Sequence, residues 1–134
     1  MIELILGWFH YKNSRGIAKM SLKMQKLEET FEYFQTSNPF KLAQLLDLDI
    51  AYIDFPEEFY GYYTIMLNVH QILINQNLSP EVQEKVCEHM LVHHLLHKGI
   101  EFCLDADLFV KLEKEKRNEK YLHLHRKFKS LLSV

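Results

Sequence analysis

One helix with both of its ends written into it dominates this chain. In NLSPEVQEKV, residues 77–86, Ser79 can accept hydrogen bonds from the first free amides, Pro80 suits the first helical position, and Glu81 and Glu84 set negative charge near the positive end of the helix dipole. At the far end Gly99 follows Lys98, where a helix stop belongs. A helix of about twenty residues is the expectation. It carries His89, His93, His94 and His97. At about 100° per residue, His89, His93 and His97 fall within an arc of about 80° shared with Val82, Val86, Met90 and Leu96, so this face is expected to be buried. His94 projects to a different side, and Glu88 lies nearly opposite the arc. A buried histidine can be satisfied by a backbone carbonyl. Two at i, i+4 can instead reach one tetrahedral ion, because neutral imidazole is the commonest metal ligand. Spacing alone leaves both readings open. Met90 stands between them, where hydrolytic metal chemistry needs a carboxylate.

The segments before this helix supply a small sheet and its cover. Ile17, Met20, Met24, Leu27, Phe31 and Phe34 step by three and four, which makes a core-facing helix. SNPFKLAQLL reads as a second, short helix capped by Ser37 or Asn38 with Pro39 in its first turn, ending at Asp47 to Asp49. DIAYIDF, GYYTIML and VHQILIN are β-branched and aromatic runs, the last two joined tightly near Asn68 as a hairpin. The fold class is therefore α+β.

Size and charge narrow the functional classes. A chain of 134 residues is expected to form one domain. Hydrophobic residues at 48% and charged ones at 25% are those of an ordinary globular protein. No apolar run approaches the roughly 20 residues of a membrane helix, and MIELILGWF lacks the basic start and cleavage site of a secretory signal. The expected location is the cytoplasm, with no membrane partner. Sixteen basic against eighteen acidic residues, a net −2, argues against direct nucleic-acid binding. The basic run from Lys111 to Lys129 reads first as a solvated helix face, with a patch for nucleic acid or an acidic partner as the alternative. Cys87 and Cys103 form no close motif, and both are expected to be buried thiols.

From Asn38 onward the order NPFKLAQLLDLDIAYIDF, GYY, ILINQNLS and HMLVHHLLHKG resembles the ImmA/IrrE-type zinc metallopeptidases of phages and integrative elements. The resemblance covers roughly residues 17–125 and is strongest over 61–99. In that family a helix carrying His-Glu-x-x-His, commonly continued to a further Leu-His, follows a small sheet ending in an Ile-x-Asn-like strand. The resemblance implies a zincin-like minimal domain: N-terminal helices, a small three-stranded antiparallel sheet, the motif helix and a C-terminal helix. Residues 1–14 would be an extension and 15–134 the core. It implies zinc as cofactor, with His89 and His93 as helix ligands and His97 matching the family's later histidine. The third ligand would be Glu115 in LEKEKRNEKY, since Tyr121 then stands where the family has Phe; Glu113 is the alternative. Asn118 replaces the family's small residue there, and a surface carboxylate paired at i, i+4 with Lys or Arg accounts equally well for either glutamate.

Met90 is the departure that matters. In the thermolysin-like mechanism the glutamate between the histidines takes a proton from zinc-bound water and passes it to the leaving amine. A thioether can do neither. Val92 also replaces the family's Gly, and His94, the nearest spare base, is offset on the wheel. Loss of a general base costs about 10² to 10⁴ in rate. The resemblance then implies a pseudo-peptidase of a phage or mobile element, with zinc kept or lost, whose groove binds a protein partner such as a repressor or host regulator. The alternatives are an active zinc metallopeptidase that cleaves a phage-type repressor, and a phage-encoded inhibitor of a host protein.

Overall fold

The computed structural model describes residues 22–118. The expected extension 1–14, Ile17, Met20, the side chain of Met24, and Tyr121 lie outside the described residues. The elements run α1 (Leu22–Phe34), α2 (Pro39–Leu45), β1 (Asp49–Ile53), β2 (Phe59–Met66), β3 (Val69–Asn75), α3 (Pro80–Leu96) and β4 (Phe102–Asp105). A last helix, α4, occupies 106–118. The architecture is α+β, as its pattern of periods required.

Local signals account for the element ends. Asn38 Oδ1 accepts from Phe40 N at 2.9 Å and caps α2, with Pro39 in its first turn. Ser79 Oγ accepts from Val82 N at 3.3 Å and caps α3. Gly99, at φ +93°, turns the chain out of α3 in a conformation that a side chain would resist. The β2–β3 hairpin turns on Leu67 and Asn68, both at positive φ, as a two-residue turn of matching twist requires.

The sheet differs from the expected three antiparallel strands. It has four, in the order β1-β3-β2-β4, with β1 parallel to β3 and the other pairs antiparallel. Strand β1 passes over the end of β3 to reach β2, and Asn75 holds that crossing. Its side-chain amide donates to Pro56 O at 3.1 Å and Phe59 O at 2.8 Å, and its Oδ1 accepts from Asn77 N at 3.0 Å. Gln76 N adds a bond to Ile53 O at 2.9 Å. A buried amide with its groups engaged can hold a crossing loop that hydrophobic pattern alone does not specify. The fourth strand is four residues long, too short to show a period.

Helix α3 lies on one face of the sheet, with α1 and α2 beside it. Leu42, Tyr63, Ile72, Ile74, Leu91 and Leu104 are fully buried between these layers. The closest approach is at Gly61 of β2. A Cβ there would stand 2.8 Å from Val86 Cγ1, 3.0 Å from the Leu73 carbonyl and 3.1 Å from Met90 Cε. Helix and sheet meet at this point because one residue has no side chain. Gly61→Ala should destabilise the fold by about 1–3 kcal/mol through overpacking, read as a lower urea midpoint. In a Val86→Ala background the same change should cost less; an equal cost would show that the contact is not the cause.

Candidate functional site

Helix α3 presents its histidines to two environments. The buried face is centred on His94, with Val86, Cys87, Met90, Leu91 and Leu95 around it. The arc of His89, His93 and His97 lies about 100° to one side of that centre. This corrects the expected orientation: His94 is 2% exposed and His97 is exposed, while His93 is partly buried and His89 is mostly buried at the edge of the core. Val86 and Met90 belong to both arcs, which is why the wheel favoured the wrong one. Cys87 is buried, and burial pushes its thiol far up, but Cys103 is exposed, contrary to expectation.

Beneath the helix, Tyr63 Oη lies 2.7 Å from His94 Nδ1 and 2.7 Å from His70 Nδ1. One hydroxyl proton can go to only one of them, so Tyr63 donates to one imidazole and accepts from the Nδ1–H of the other. Burial lowers His94 to about 4, with His70, Lys98 and His93 adding to the effect, and lowers His70 as well. His94 Nε2 finds no hydrogen-bond partner among the described residues. His94 therefore serves the core and cannot stand in for the base missing at Met90. Neither Tyr63 nor His70 was singled out by the sequence reading, although His94 at i+3 from Leu91 and i+4 from Met90 carried the signal for its own burial.

The other histidines border a groove between α3, β4 and α4. A pocket of about 350 Å³ is lined by His89, Val92, His93, Leu96, His97, Phe102, Leu108 and Leu112. His93 stacks on Phe102 with ring centres 4.6 Å apart, and the His97 ring lies 5.4 Å from that of His93. His93 Nε2 is 2.6 Å from the Ile100 carbonyl, which only accepts, so Nε2–H donates. His89 Nε2 is 3.0 Å from Glu113 Oε2. Burial lowers both imidazoles, against the pull of Glu113 on His89 and of the Ile100 carbonyl on His93. Met90, fully buried, faces the sheet instead of the groove.

Glu113, the alternative third ligand, takes the contact with His89, while Glu115 is exposed on α4. Lys85 lies 3.7 Å and Lys116 3.8 Å from Glu113, and Lys116 also pairs with Glu88. These residues do not fit a zinc ion as they stand. Both Nε2 atoms are committed to hydrogen bonds and the Glu113 carboxylate is shared with two ammonium groups. Among the described residues no three His, Cys, Asp or Glu side chains are gathered as metal ligands.

No family model matches the chain, and no solved structure matches it. Over 71 residues, 53% of the chain, it is 30% identical to a protein of Bacillus phage phi105 described as "uncharacterized immunity region protein 2". The match spans 45% of that relative, so the chain covers about half of its length. It is thus a distant relative of a phage protein. Among the described residues no helix is long and apolar enough to cross a membrane.

The buried histidines make stability sensitive to acid. His94 titrates near its ordinary 6.5 in the unfolded chain and at about 4 in the fold. Between those values the unfolded state takes up a proton that the native state refuses. Stability is therefore full above about pH 6.5 and falls as the pH drops toward 4, by about 3 kcal/mol for this group. Urea unfolding at stepped pH should show the loss, and His94→Gln should flatten it. An unchanged slope in that variant would remove His94 as the cause.

Proposed function

We propose that this chain is a degenerate zincin-like protein of a phage or mobile element, which acts by binding a regulatory protein and not by efficient peptide hydrolysis. The observation that carries this reading is Met90. Its thioether is fully buried, with its methyl group directed at Gly61, at the position where peptide hydrolysis would need a carboxylate facing the scissile bond. The loss is therefore double: the group cannot carry a proton, and its place on the helix is turned into the core. The hydrogen bonds of His89 and His93 support loss of the zinc that the family resemblance implies.

Binding is supported by the groove. Its walls are largely aliphatic and aromatic, and it is large enough for one or two apolar side chains of a partner. The phage immunity-region relative supports a role in regulating a phage or mobile element, with a repressor or host regulator as the partner. Co-expression with a phage-type repressor should yield a complex that survives chelation, with the repressor at its full mass. Leu96→Asp, on the groove wall, should weaken that complex at least about tenfold by desolvating a charge, while circular dichroism stays unchanged. Repressor cleavage that stops on adding chelator would sink the reading in favour of a working metallopeptidase.

A further inference from the structure

The cluster joining α3 to α4 holds a cation of its own. Lys116 Nζ pairs with Glu88 and lies 3.8 Å from Glu113 Oε2, the oxygen that accepts from His89 Nε2. The side chains are only 13% exposed for Lys116, 14% for Glu113, 11% for His89 and 22% for Glu88. We propose that the Lys116 ammonium does for this cluster what a bound metal ion would do: it draws Glu88 of α3 and Glu113 of α4 together beside His89, and by its charge keeps divalent cations out. This rests on the reading above that the metal site is lost.

Three observations carry it. Position comes first: Glu113 and Lys116 are three apart on α4 and share a face, while Glu88 and His89 are adjacent on α3, so Nζ sits between carboxylates from two helices. Charge is the second. Lys85 and Lys116 balance Glu88 and Glu113, so the cluster is neutral with His89 uncharged, and a divalent ion added to it would leave two positive charges in a largely buried site. Third, the Nε2 proton of His89 is given to the carboxylate that Lys116 neutralises, so the ring nitrogen that a metal would take is already engaged. As they stand, Glu88, Glu113 and His89 are not gathered around one point, so an ion would be held only once these two carboxylates and the imidazole close on the space that Nζ leaves. That donor set suits zinc.

The test is the zinc taken up in equilibrium dialysis that depends on His89, measured as the difference between each protein and its His89→Ala counterpart. The parent should show none. Lys116→Ala should gain about one His89-dependent zinc per chain, and Lys116→Arg, which keeps the charge, should gain none. Lys116→Gln, which keeps most of the volume without the charge, serves if the alanine variant does not fold. A folded Lys116→Ala or Lys116→Gln protein without His89-dependent zinc would overturn this inference alone. His89-dependent zinc in the parent would overturn both it and the reading of a lost metal site.

Discussion

The approach of α3 to β2 at Gly61 is the contact on which the remaining geometry depends. A helix that packs on a sheet is normally held off by the side chains between them, but here Val86 and Met90 reach the backbone of the strand. That seats α3 with Met90 and His94 beneath it, one turn apart. It also rotates His89, His93 and His97 out toward β4 and α4. One missing side chain on β2 thus decides which histidines are core and which line a groove.

The imidazoles of the two regions are engaged by different means, with His94 Nε2 left without a hydrogen-bond partner among the described residues, and this sets their chemistry. Under the helix, Tyr63 bridges two imidazoles whose proton affinity burial lowers, the His94 side buried and the His70 side partly so. In the groove the imidazoles meet an aromatic ring, a carbonyl and a carboxylate, and the space left over is mostly apolar. A hydrolytic site needs a base and a polarising group aimed at the same reacting carbonyl. Here the position between the histidines points into the core, and Nε2 of both His89 and His93 is already donating, so the groove suits an apolar side chain better than a scissile bond.

Much of the fold was legible because it rests on local chemistry. Asn38 and Ser79 cap helices, Pro39 and Pro80 start them, and Leu67–Asn68 turns a hairpin, each as its own sequence neighbours dictate, whereas α3 stops at Leu96 with His97 as its cap, two residues before the turn at Gly99. The strand order was not legible, since β1 lies beside β3 through the amide of Asn75 and a crossing loop, contacts between residues far apart in the chain. The facing of α3 was misread for a related reason. Apolar residues occur on more than one side of it, and Cys87, Leu91 and Leu95 compete with Val82, Val86 and Met90 for the core. Periodicity fixes the angles between residues but not the absolute rotation, which Gly61 sets from another element. For the same reason the placement of Glu113 over Glu115 needed the start of α4. That start is set by Asp105, whose Oδ1 accepts from Leu108 N at 2.8 Å.

The ion cluster and the missing carboxylate at position 90 belong to one physical problem, the docking of α4. Where a metal joins two helices, its binding free energy is part of the folding free energy, and the chain loses stability when the ion leaves. On the reading proposed above, a chain without catalytic use of the ion would keep only that liability. Lys116 removes it at the cost of desolvating an ammonium, a cost offset by Glu88 and Glu113 and by the donor of His89. Phe109 supports the same join without charge, packing edge-on to His89 at 5.7 Å and against Tyr60 at 5.0 Å. With α4 held in this way, the groove wall formed by Leu108 and Leu112 stays in place with no ion to bind or lose. An apolar groove whose wall needs no ion would suit the binding role proposed above.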